Sequence, residues 1–327
     1  MTPQDSMKKT AEGQVSAPVL RGVTLVLGSP FSGSTLLGQC LNDIVGIAYA
    51  GELDRMHRLG FGMHIASRHH ESRCEICSSH EGVACPIFGG EDESVVADGG
   101  TVGLDVYLEV LSRFGQPYVV DGSKNVDWLW HLQRKGLLQV LPTNVILAVR
   151  PVWAFVISQQ RSCGGSLHAA AEGWRNIYRH ALRSIATLGI PSLTVRHEDF
   201  VAHGDQWLSR AAWFVTGTPH NMHDPKPMHC IGGNVSAYAI RGDFDKQGHL
   251  NSIPEDTQAI ARRKFEVFGG HGPRTDTLSR WASAISHEDA CSILSIPGVM
   301  DTMLDLGYDP LRMLDEHAAW CDQNSVA

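Results

Sequence analysis

The feature that most constrains this chain is a short, β-branched apolar run at residues 23–27 that stops at a Gly/Ser/Pro cluster, GSPFSGST, over residues 28–35. The helical pattern Leu36, Leu37, Cys40, Leu41, Ile44 follows directly. Apolar run, tight loop and 3.6-residue periodicity read as strand, loop, helix. In that order, successive backbone N–H groups and the helix N-terminus can point at one anion.

The alternation repeats. Residues 118–121 lead into a helical stretch at 126–138, residues 145–149 into 153–160, and a long helical pattern at 169–188 into a strand at 192–195 and a helix near 206–215. Strands alternating with helices predict an α/β fold, a mostly parallel sheet with helices on both faces. Residues 1–20 read as a disordered leader and 21–327 as one domain. Within that domain, residues 54–100 are rich in His, Cys, Gly and acidic residues without hydrophobic period, and read as a Cys/His-rich insertion over one end of the sheet. Residues 216–252 read as a loop of the length usual for lids and binding loops. The tail is expected to be helical near 257–268, 277–285 and 292–306.

Composition removes several functions. No stretch approaches the roughly 20 apolar residues of a membrane span, so no membrane association is expected. The N-terminus has no apolar run after its two lysines, which predicts a cytosolic protein without a signal peptide. With 27 Lys+Arg against 35 Asp+Glu the net charge is −8, which argues against nucleic acid as a partner. Oligomeric state is not legible.

The loop from Gly28 to Thr35 has the spacing of the phosphate loop GxxxxGK[ST], with Ser34 in place of the lysine that neutralises the β and γ phosphates of a nucleoside triphosphate. An ordinary ATPase or GTPase is therefore disfavoured. A turn without a ligand is the plain alternative.

Here SPFSGSTLL resembles the 5′-phosphosulfate loop of the sulfotransferases that use 3′-phosphoadenosine 5′-phosphosulfate (PAPS). Three more elements fall in that family's order. Arg150 at a strand end with Ser158 eight residues on resembles the 3′-phosphate signature, and Asp121, Ser123 and Lys124 resemble D-x-S-K. His229, Gly233 and Asn234 resemble a late segment that closes over the cosubstrate. The layout is similar to that of the tyrosylprotein and carbohydrate sulfotransferases, which implies a P-loop-type sheet and PAPS as cosubstrate. By this resemblance Gly28, Ser29, Ser32, Gly33, Ser34, Thr35, Arg150, Ser158, Gly233 and Asn234 bind it. Physically, Arg150 can make a forked contact to phosphate and Ser158 can donate from the second turn of its helix.

The family's loop cation, directly after the proline, is here Phe31. Lys124, at a strand end on the side where α/β sheets bind ligands, is the replacement candidate; the alternative is a surface lysine paired with Asp121 or Asp127. Glu52, in a segment resembling the family's G-E motif, is the candidate base, the alternative being an ion pair with Arg55. His57 and His229 are runners-up, though 17 histidines weaken any single choice.

Cys74, Cys77, His80 and Cys85 have spacings compatible with a tetrahedral structural zinc site, which would give a loop-rich insertion stability. Free thiols or a redox pair are the alternatives. Cys40, Cys163, Cys230, Cys291 and Cys321 are expected to be buried, and most of Trp128, Trp130, Trp153, Trp174, Trp207, Trp213 and Trp281 are expected in the core.

Sulfuryl transfer to a hydroxyl of a small-molecule or carbohydrate acceptor leads. A catalytically weak binder of PAPS or its bisphosphate product and a degenerate P-loop kinase are the alternatives.

Overall fold

The structure is a computed structural model that describes residues 19–54, 104–219 and 281–324. Its centre is a parallel five-stranded sheet: β1 (Gly22–Gly28), β2 (Ile47–Gly51), β3 (Tyr118–Lys124), β4 (Thr143–Val149) and β5 (Ser192–Arg196), in the order β2-β3-β1-β4-β5. Strands β1, β2 and β4 are almost wholly buried, which explains why they read as continuous apolar runs rather than alternating ones.

Chain order and strand order together place the helices. From β1 the chain steps to β2 in one direction, and every later step, to β3, β4 and β5, runs in the other. Right-handed crossovers therefore put α1 (Ser34–Asn42) on one face. The other face carries α2 (Leu104–Phe114), α3 (Val126–Arg134), the short α4 (Leu137–Val140), α5 (Val152–Cys163) and α6 (Leu167–Leu188). After β5, α7 (His197–Ala202) leads into α8 (Gly204–Thr216), which packs beside α1. Three C-terminal helices, α9 (His287–Ser295), α10 (Val299–Asp305) and α11 (Pro310–Asn324), pack on one another, and α9 and α10 also lie against α6.

Helix α6 shows how patterning becomes position. Ser166 caps its N-terminus, Gly189 at φ 63° ends it, and Ala171, Trp174, Tyr178, Ala181 and Ile185 form one buried stripe. That stripe carries two polar tips to the sheet's carboxyl edge. Trp174 Nε1 donates to Arg150 O at 3.1 Å, and Tyr178 Oη donates to Ala148 O at 2.9 Å.

Several expectations need correction. The tail pattern at 292–306 is two helices, because Pro297 and Gly298, at φ 80°, interrupt it. Helix α2 lies outside the helical patterns given above, and α11 extends the helical C-terminal part beyond them; α11 starts on Pro310, whose missing N–H costs nothing there. Residues 126–138 are likewise split, at Gly136, φ 79°. The described cysteines are less buried than expected, and Cys230 lies outside the described residues. Cys163 is exposed because it ends α5 just before Gly164 and Gly165, and Cys40, Cys291 and Cys321 are half-buried. Trp128, Trp153, Trp174 and Trp281 are core residues, but Trp213 is 55% exposed on the outer face of α8. No helix among the described residues is long and apolar enough to cross a membrane.

Candidate functional site

All chemistry-bearing residues that the structure describes from the predicted set lie along the carboxyl ends of the strands or just beyond them. This is the edge at which open α/β sheets bind ligands. Register fixes their order. Lys124 is the partner of Leu27, one residue before the loop, on one side of β1; Gly28 is the partner of Ala148, two residues before Arg150, on the other. The loop is thus flanked by Lys124 and Arg150. A groove at the opposite edge, bordered by Leu141, Pro142, Leu188 and Pro191, holds no titratable side chain.

The loop needs its glycines. At Gly28, φ 152°, a Cβ would run into Ala148 O, and at Gly33, φ 82°, into the His197 ring. Gly33 is the N-cap of α1 and supplies no side-chain acceptor, so the first N–H groups of the helix are left for a ligand. The loop's hydroxyls are turned inward. Ser29, Ser32, Ser34 and Thr35 are all buried, and Ser32 Oγ has no hydrogen-bond partner. Tyr178 Oη anchors the loop by accepting from Ser29 N at 3.2 Å and sitting 3.0 Å from Ser29 Oγ. Burial pushes the Tyr178 phenol up to about 12, so it stays protonated and keeps its bond to Ala148 O.

At Phe31 the backbone is left-handed, φ 62°, which is uncommon for a bulky residue. Its carbonyl accepts from Arg150 Nη1 at 3.1 Å, and its ring is 39% exposed. Arg150 Nε is buried without a partner, and burial lowers the guanidinium below its ordinary range while Glu198, Tyr308 and Tyr178 oppose that shift. Ser158 lies on the second turn of α5 as expected, half-buried, with its hydroxyl donated back to Ala154 O at 2.9 Å.

On the other flank, Lys124 Nζ and Glu52 Oε1 form a 2.5 Å ion pair. Lys124 is therefore not paired with Asp121 or Asp127. Lys124 also has positive φ, 59°, and follows an irregularity where β3 carries one residue more than β1 between Leu25 and Leu27. Such bulges re-aim side chains beside functional sites.

A buried clamp sets the pair. Asp121 Oδ2 accepts from Tyr107 Oη at 2.7 Å and Trp128 Nε1 at 2.8 Å; its Oδ1 accepts from Ser123 N at 2.9 Å, Leu53 N at 3.4 Å and the Ser123 hydroxyl. Ser123 Oγ accepts in turn from Asp54 N at 2.9 Å, and Asn125 Nδ2 donates to Asp54 Oδ2 at 2.9 Å. Asp121, Ser123 and Asn125 thereby hold Leu53 and Asp54, next to Glu52. Burial raises the Asp121 carboxyl to about 6, against the pull of its Ser123, Tyr107 and Trp128 hydrogen bonds.

Gly233, Asn234, His57, His229, Arg55 and the Cys74, Cys77, His80, Cys85 cluster lie outside the described residues. Among the described residues no group of three or more metal-ligating side chains comes together. The sequence reading missed His197, whose ring packs on the loop, and Glu198, which acts electrostatically on Arg150. Withdrawal from water and the neighbouring Arg150 charge lower the His197 imidazole to about 3, so it is neutral. The available signal was position: Arg196 ends an apolar strand and His197, Glu198 and Asp199 directly follow it, at the ligand-binding edge.

No protein-family model matches the sequence, and no curated protein does. Solved structures do match. One is the sulfotransferase domain from the curacin biosynthetic pathway, at 17% identity and TM-score 0.52, covering 89% of this chain and 99% of that one. Another is the sulfotransferase domain of the Synechococcus PCC 7002 olefin synthase, at 16% identity and TM-score 0.49, covering 90% and 97%. The chain has the fold of the former domain.

Proposed function

We propose that this chain transfers a sulfuryl group from PAPS to a hydroxyl of a small-molecule or carbohydrate acceptor. The observation that carries it is the Glu52–Lys124 pair, set beside a loop whose backbone is shaped for one phosphate and flanked on its other side by Arg150. A triphosphate fits less well, because Ser34 stands where its lysine would be.

The N–H groups of residues 33–35 would hold the 5′-phosphosulfate, since that of Ser32 is donated to Ser29 O, and Arg150 with Ser158 would hold the 3′-phosphate, with Gly233 and Asn234 as the resemblance's further cosubstrate contacts. The acceptor oxygen attacks sulfur in line while its proton passes to a Glu52 carboxylate oxygen. As the new S–O bond forms, the S–O bond to the 5′-phosphate breaks and its electron pair stays on the phosphate oxygen. Lys124 and the loop N–H groups stabilise the charge that develops there. The products are a sulfate ester and adenosine 3′,5′-bisphosphate, and Glu52 then loses its proton to solvent. As in phosphoryl transfer, the protein's work is positioning and charge stabilisation.

Phe31, apolar where the family's cation stands, favours a second reading: a protein that holds the nucleotide without turning it over. Calorimetry of adenosine 3′,5′-bisphosphate beside AMP and ATP, on wild type and Arg150→Ala, tests the site. Preference for the bisphosphate that collapses in the variant supports it, and equal binding of AMP dismisses it. Transfer of labelled sulfate from PAPS to an acceptor panel separates enzyme from binder.

A further inference from the structure

A turn near the C-terminus is pinned to the junction of β5 and α7 by three contacts. Arg196 Nη1 donates to Gly307 O at 2.5 Å, the Arg196 guanidinium lies 5.6 Å from the centroid of the Tyr308 ring, and Tyr308 Oη donates to Glu198 Oε2 at 3.0 Å. The neighbouring carboxylate, Asp199, is taken by Arg196 at 2.6 Å. Glu198 is thus the acidic side chain of this segment that acts on Arg150, yet among the described residues the Arg150 guanidinium forms no ion pair, and its one hydrogen bond goes to Phe31 O.

The β4–β5 register, with Val149 opposite Arg196, brings the start of α7 beside Arg150, and an arginine and a carboxylate brought together are frequently found as a forked pair. Such a pair would cover the guanidinium edge that a phosphate needs. We infer that Tyr308 is a positioning residue for the anion site: by holding Glu198 Oε2 it keeps that carboxylate off Arg150 and leaves the guanidinium open to a phosphate. This rests on the assignment of Arg150 to the cosubstrate's 3′-phosphate. The turn before α11 thereby becomes part of the nucleotide site without touching nucleotide, and Glu198 becomes a built-in competitor held in check by one hydroxyl.

The test is calorimetry of adenosine 3′,5′-bisphosphate and AMP on the full chain as wild type, Tyr308→Phe, Glu198→Gln and the double variant, with melting temperatures alongside. Tyr308→Phe is expected to weaken bisphosphate binding about tenfold while AMP, lacking the 3′-phosphate, is unaffected. Adding Glu198→Gln restores the affinity, because a neutral amide no longer competes for the guanidinium. A purely structural role predicts the opposite, equal losses for both nucleotides and no rescue. An unchanged bisphosphate-to-AMP ratio in Tyr308→Phe, or a loss that Glu198→Gln leaves in place, overturns the inference alone. Should Tyr308→Phe not fold, the Glu198→Gln single variant decides: bisphosphate affinity at or above wild type upholds the competitor role, and a selective loss overturns it. A wild-type protein that does not prefer the bisphosphate overturns both this inference and the nucleotide assignment.

Discussion

Lys124 and Glu52, 72 residues apart, meet in a 2.5 Å ion pair with only 19% and 8% of their side chains exposed. Each candidate thus supplies the other's counter-charge, so removing one leaves a partly desolvated charge behind. In the proposed reaction, Glu52→Gln and Lys124→Met are each expected to lower turnover by about a hundredfold or more. Bisphosphate affinity should stay within about fivefold of wild type, since backbone N–H groups and Arg150 carry most of the anion binding. Steady-state rates beside calorimetry check this, and wild-type turnover in Glu52→Gln would remove Glu52 from the role of base.

Ser123 stands between the clamp and the pair. Ser123→Ala leaves Asp54 N–H without its acceptor and removes one donor from Asp121, a loss of about 1–3 kcal/mol. Urea denaturation measures that loss. Because the clamp acts on the residues next to Glu52, turnover is expected to fall further than cosubstrate affinity does.

The left-handed backbone at Phe31 is kept in place by the Arg150 bond to its carbonyl. Alanine and glycine there differ mainly in what φ 62° costs them, so Phe31→Gly should be more stable than Phe31→Ala by about 1 kcal/mol. Equal midpoints in thermal melts would show that the loop relaxes without strain. Phe31→Arg, which restores the cation expected from the resemblance, should tighten bisphosphate binding several-fold.

Two buried groups pull the pH dependence in opposite directions. His197 is lowered from 6.5 to about 3, so below pH 6.5 the unfolded chain binds a proton that the folded chain refuses, and stability falls with acidification. Asp121 is raised from 3.8 to about 6, so between those values the folded chain holds a proton that the unfolded chain releases, and stability rises with acidification. From pH 6 to pH 4 these two slopes, each at most about 1.4 kcal/mol per pH unit, largely cancel. His197→Ala removes one of them. Its stability relative to wild type should improve as pH falls from 6.5 to 4, as read from denaturant midpoints; a constant difference across that range would show that His197 titrates normally.

How much of this was legible beforehand follows from the range of each interaction. The strand–loop–helix at 22–42, the α/β class, the strand-end placement of Lys124 and Arg150 and the inward stripe of α6 are written in neighbouring residues. Hydrophobic period, glycine placement and caps act within a few positions, so they can be read without the fold. Pairing is different. That Lys124 takes Glu52 rather than Asp121 or Asp127 depends on the strand order, on a one-residue irregularity in β3, and on Asp121 being used up by Tyr107, Trp128 and Ser123. His197 reaches Gly33, and Tyr308 reaches Glu198, only because β5 ends beside the loop and the C-terminal helices dock on α6. The sequence by itself determined the alternation of strand and helix through the sheet and the place of Lys124 and Arg150 at the ligand-binding edge. The tertiary structure alone decided which charges face one another, because contacts between distant segments are chosen by packing and leave no local period to read.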